Sequence, residues 1–111
     1  MSSKLIQPTP TEEERSVLVY PEVIKWLNTQ KHSSQEDINF VKDFITSRHL
    51  FGKEKYGTGL MSFNGRDCVL DVKEELGDCL QYLHQLKLEN KTVTPEIKIL
   101  LNQIVTFVDN F

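Results

Sequence analysis

Between residues 65 and 88 apolar side chains return at Val69, Val72, Leu76, Leu80 and Leu83. Steps of three and four residues set them on one stripe of an α-helix, where a half-buried strand would need alternation. Similar spacing recurs at Ile38, Val41, Phe44 and Ile45, which predicts a helix over about 35–50. It returns at Ile97, Leu100, Leu101, Ile104, Val105 and Val108, down to the C-terminus. The chain is therefore expected to be all-α: a bundle of three main helices plus a short N-terminal one.

Start signals agree with this layout. Thr11 with Glu14, and Ser33 with Glu36, fit capping boxes. Pro21 opens "PEVIKWLNTQ", a short helix that Ile24 and Trp26 would anchor. Asn64 is placed to cap the 65–88 helix with Asp67 three residues on, and Thr94 followed by Pro95 starts the last helix. Residues 1–10 hold two prolines and read as a flexible arm. "FGKEKYGTGLMSFNG", residues 51–65, holds four of the five glycines and reads as a long loop, a length that is usually functional or disordered. With 111 residues, one domain over 1–111 is expected. The wide apolar face of the last helix is more than three helices cover, which points to a homodimer or homotetramer.

Other classes drop out. A net charge of −3 offers no basic field for nucleic acid. No apolar run resembles a signal peptide or spans a membrane, so a cytoplasmic protein with no membrane partner is expected. Asn90-Lys91-Thr92 matches a glycosylation acceptor by chance on that reading. Cys68 and Cys79 on one helix would lie ~16 Å apart, too far for a disulfide, and read as small core residues.

Chemistry concentrates in "DVKEELGD", residues 71–78. Asp71, Glu74, Glu75 and Asp78 share one side of a helix and repel one another. A hard divalent cation, Mg²⁺ or Mn²⁺, would relieve that; a solvated face with Lys73 and Lys87 as partners is the other reading. At ~100° per residue Glu74 points away from the apolar stripe, while Glu75, Asp78 and Asp71 approach its edge, facing a seam between helices. Gly77 weakens the helix and leaves room for close approach. Arg48 falls on an apolar face, which predicts burial against a carboxylate or a phosphate. Arg66 in a first helical turn opposes the helix dipole and needs an anion of either kind. Lys53, Lys55 and Tyr56 in the glycine-rich stretch could grip phosphates, Tyr56 also by stacking on a base.

In order along the chain, "KYGTGL…NGRD…D…EELGD…YL" (residues 55–83) resembles the MazG-like nucleotide pyrophosphohydrolases of the all-α NTP pyrophosphatase superfamily, in a compact branch. "EELGD" is similar to that family's second metal motif, Glu-x-x-Asp, which maps onto Glu75 and Asp78. The resemblance implies helical oligomers that use Mg²⁺ to hydrolyse (deoxy)nucleoside triphosphates to monophosphate and pyrophosphate. Glu75 and Asp78 would be catalytic and metal-binding, with Asp71 a third ligand. Arg48, Lys53, Lys55, Tyr56, Asn64 and Arg66 would meet the substrate. The family's first motif, Glu-Glu-x-x-Glu on the preceding helix, has no counterpart; Glu36, Asp37 and Asp43 are spaced differently. The rival expectation is a non-catalytic helical module that binds nucleotide or a partner protein.

Overall fold

A computed structural model describes residues 7–111. It contains helices α1 (Val19–Leu27), α2 (Gln35–Tyr56), α3 (Cys68–Leu88) and α4 (Pro95–Asp109). Among the described residues the only extended pairing is an isolated antiparallel bridge, Leu18 to Met61. The all-α expectation holds. The chain divides into two compact units: Pro10–Gly65 with α1 and α2, and residues 7–9 together with Arg66–Phe111, with α3 and α4.

In the first unit α1 and α2 pack around Leu27, Ile38 and Val41, all buried. Leu27 is the α1 anchor; Ile24 and Trp26 are only half-buried. The cap Leu18 offers no side-chain bond, and the Val19 N–H instead donates to the Leu60 carbonyl at 2.9 Å. Pro21 sits third in α1 rather than first, which the unpaired N–H groups of a first turn tolerate. Thr11 starts no helix. Its N–H and hydroxyl both donate to the Asn64 carbonyl, and a turn follows at residues 14–15. α2 is capped by Ser34, one residue later than expected; its hydroxyl accepts the Asp37 N–H at 3.1 Å.

The larger correction is at the other end of α2. Residues 51–56 are helix, not loop. Gly52 weakens the helix by ~1 kcal/mol without ending it. Gly57 ends it, at φ +80°, with its N–H donating to the Lys53 carbonyl at 2.8 Å. The remaining connection is pinned. The Ser62 N–H donates to the Val17 carbonyl at 2.8 Å, and the Val17 N–H to the Ser62 hydroxyl at 2.9 Å. The His49 ring stacks on Tyr20 at 4.2 Å, and the Tyr20 hydroxyl bonds the Thr46 hydroxyl at 2.6 Å. A Cβ on Gly59 would lie 2.6 Å from that imidazole and 2.9 Å from a Leu18 methyl, so any other residue here forces a neighbouring side chain to shift.

In the second unit Asp67, not Asn64, caps α3 by accepting the Leu70 N–H at 3.1 Å. Thr94 caps α4 through the Ile97 N–H, with Pro95 at the first position, as expected. The apolar stripes are covered only in part: Leu83 on α3 and Ile97, Leu100 and Leu101 on α4 are half-buried, and no residue of α3 is fully buried. Val69, Val72, Leu76 and Leu80 are exposed, Leu76 by 52%. On α4, Ile104 is 50% exposed whereas Gln103 is 5% exposed. Cys68 is exposed rather than core, Cys79 is half-buried, and both are free thiols. No described helix is long and apolar enough to cross a membrane.

Candidate functional site

The acids of α3 do not share one environment. Asp71 is half-buried and already engaged. Arg66 holds it in a fork, Nε to Oδ2 at 3.0 Å and Nη2 to Oδ1 at 2.8 Å. Gln7 adds Nε2 to Oδ1 at 2.9 Å, while its own Oε1 accepts the Asp67 N–H at 2.7 Å. Arg66 also donates to the Pro8 carbonyl at 3.2 Å. Gln7 and Pro8 are thus tied to the start of α3 rather than frayed; residues 1–6 of the expected arm lie outside the described residues. The Arg66 guanidinium, by hydrogen bond and then by charge, outweighs partial desolvation and holds the Asp71 carboxyl below its ordinary range, with Gln7 adding to the effect. Because α3 begins at Cys68, Arg66 precedes the first turn instead of lying in it.

Further along α3, Glu75 is exposed, while Glu74 and Asp78 are half-buried. This reverses the expected placement of Glu74 and Glu75, as follows from the outward apolar stripe. Glu75 and Asp78 are neighbours one turn apart, ~5–6 Å between Cβ atoms. Neither makes an ion pair among the described residues. No group of three His, Cys, Asp or Glu side chains gathers there among the described residues. Two carboxylates nevertheless fit Mg²⁺, which commonly takes one or two protein carboxylates and completes its shell with water and phosphate oxygens. The space beside Gly77 is open; nothing approaches where its Cβ would be.

The other expected binding residues belong to the Pro10–Gly65 unit. Arg48 is exposed, not buried, with its guanidinium 5.0 Å from the centre of the Phe51 ring. The reason is that Phe44, Leu50 and Phe51 around it are themselves exposed, so the cation keeps its water and takes a ring face. Lys53, Lys55 and Tyr56 stand exposed on the C-terminal end of α2, where the helix dipole favours cations. Lys55 Nζ lies 5.2 Å from the Tyr56 ring centre. Asn64 is half-buried, and its carbonyl is the acceptor for Thr11. With α2 extended, Glu54 joins Glu36, Asp37 and Asp43 as acids on that helix.

The structure brings Arg66 and Asp71 together and gives Glu75 and Asp78 no ion pair among the described residues. The sequence reading missed Gln7, whose partners are 60 and 64 residues away and leave no local signal. A separate apolar groove of about 540 Å³ runs between the C-terminal half of α3 and α4, lined by Tyr82, Leu83, Leu86, Leu100, Leu101 and Ile104 among others. At its rim Lys91 pairs with Glu89 at 2.9 Å and, with Gln85, lowers the Glu89 carboxyl. No protein-family model, curated protein or solved structure matches the chain.

Proposed function

We propose that the chain is a Mg²⁺-dependent nucleoside triphosphate pyrophosphohydrolase, cleaving (deoxy)NTP to monophosphate and pyrophosphate as a cytoplasmic homo-oligomer. The observation that carries the reading is the ordered motif row of residues 55–83, with an acidic pair, Glu75 and Asp78, that lies on one helix without ion-pair partners among the described residues. Glu75 and Asp78 would hold the cation. Bound there, Mg²⁺ supplies charge for the phosphate oxygens and acidifies a water; Mn²⁺ could substitute. Lys53, Lys55 and Arg48 are the residues assigned to phosphate, with their long exposed stems free to reorient. Tyr56 is assigned to the base or a phosphate, and Asn64 to holding its connection in place. Arg66 and Asp71 act together in this reading. A triphosphate competes for the guanidinium, and each carboxylate oxygen that Arg66 releases becomes available as a further ligand.

The experiment is product analysis. A panel of NTPs and dNTPs is incubated with the protein and Mg²⁺, and the products are separated by ion exchange. Monophosphate plus pyrophosphate is expected; diphosphate plus orthophosphate refutes attack at the α-phosphorus. The second reading, a non-catalytic helical module binding nucleotide or a protein, is favoured by the missing first acidic motif on α2. No turnover across the panel would select it.

A further inference from the structure

Gln7 and Pro8 reach the start of α3 through three bonds. Gln7 Nε2 donates to Asp71 Oδ1 at 2.9 Å, the Asp67 N–H donates to Gln7 Oε1 at 2.7 Å, and Arg66 Nη1 donates to the Pro8 carbonyl at 3.2 Å. Two of the three end on the side chains assigned above to phosphate and metal. We propose that residues 7–8 form an autoinhibitory strap, which must lift before Arg66 and Asp71 take up a Mg²⁺–polyphosphate. This rests on the assignment of Arg66 to phosphate and Asp71 to the cation, and adds a built-in control to that site.

The strap is held first by a helix cap. In a capping box the N-cap side chain accepts from the third helical amide, and a Glu or Gln at that third position returns a bond to the N-cap amide. Asp67 makes the first bond, with the Leu70 N–H at 3.1 Å. Leu70, in the third position, has no side-chain acceptor for the second. Gln7 supplies it from 60 residues away. Its oxygen thus satisfies an open donor of α3, while its nitrogen meets Asp71 one turn further on. Only an amide does both, because a glutamate at position 7 would repel Asp71.

The same segment is built for release. Pro8 and Pro10 disfavour helical backbone at Gln7 and Thr9, and residues 7–10 join no helix. Among the described residues no backbone-to-backbone bond holds residues 7–9. Each of the three bonds shifts an equilibrium by roughly two- to tenfold. A polyphosphate offers Arg66 charged oxygens, whose bonds are about twice as strong as one to the neutral Pro8 carbonyl. As it draws Arg66 out of the fork, Mg²⁺ arriving with it replaces the positive charge that Asp71 loses. Strap and ligand therefore compete for the same two side chains.

The test is calorimetric titration of the full chain with inorganic tripolyphosphate in the presence of Mg²⁺, for wild type and Gln7→Ala. While the open fraction is small, the apparent Kd varies inversely with it. Gln7→Ala removes two of the three bonds and should tighten binding by about tenfold. Equal or weaker binding by the variant overturns the strap and makes Gln7 a brace of the fork. A second measurement needs no variant and decides the matter should Gln7→Ala fail to fold. In wild type the side-chain amide NMR signals of Gln7 should move toward those of a solvated glutamine as tripolyphosphate saturates the protein. Signals that stay in place at saturation overturn the strap. Release of Gln7 without turnover of any NTP keeps the strap and removes hydrolysis; turnover with Gln7 unmoved keeps hydrolysis and removes the strap. Absence of tripolyphosphate binding in both proteins also overturns the strap, since Arg66 then has no phosphate to turn to.

Discussion

Asp71 accepts bonds from both arms of Arg66 and from Gln7, so its folded carboxyl binds a proton less readily than the unfolded one. The pair therefore contributes stability above the ordinary Asp range, near pH 4, and loses it as pH falls below that range through the lowered folded value. A half-exposed fork of this kind is worth about 1 kcal/mol. Asp71→Asn should lower the urea midpoint at neutral pH and flatten its decline between about pH 5 and 2; an unchanged acid limb would show that the fork stabilises nothing. Glu75 and Asp78 call for the opposite experiment, since they hold no ion pair among the described residues. Glu75→Gln and Asp78→Asn should each cut pyrophosphate release by at least ~100-fold with helicity intact, given that residues merely supporting a metal ligand cost 10–100-fold. Glu74→Gln should stay within a few-fold of wild type. Equal sensitivity at Glu74 would move the cation to the other side of α3.

At the scale of elements, the stack of Tyr20 on His49 fixes what residue 59 can be. The imidazole is stacked on Tyr20, which limits how far it can move from a new methyl group. Gly59→Ala should cost about 1–3 kcal/mol by overpacking, read as a shift in urea midpoint. Combined with His49→Ala, the loss should be smaller than the sum of the two; additivity would exclude the contact. Caps and periods were legible: Thr94 and Pro95 start α4, and all three long stripes are helical. The end of α2 was not, because glycine in "FGKEKYG" reads as punctuation at both positions, while only Gly57 takes the left-handed conformation. Face orientation was not legible either. Periodicity says which residues share a side but not which side is covered, and so Glu74 and Glu75 exchanged places. Of the candidate site, an anion beside Arg66 followed from unsatisfied charge, but that Asp71, assigned to the metal, is that anion did not. Gln7 rests on chain closure, which no local pattern encodes.

For the whole molecule, linkage supplies a readout that does not need turnover. If Mg²⁺ binds the native acids, metal at a hundredfold excess over its Kd adds about 2.7 kcal/mol to folding stability. A rise in Tm on adding MgCl₂ is expected in wild type and absent in Glu75→Gln; identical shifts in both would mean that the ion acts elsewhere.

The pairing of residues 17–19 with 60–62 has one more consequence. A protease needs about ten residues of extended chain that can leave the surface and enter its cleft. The stretch 57–65 looks like such a substrate by composition, yet the Val19 and Ser62 amides and the Thr11 bond to Asn64 hold it along its length. Lys31, in the connection between α1 and α2, is exposed and bordered by bends. Brief digestion with a protease of broad specificity should nick the native chain in the connection 28–34 well before it cuts within 57–65, so the glycine-rich stretch survives as the more resistant of the two.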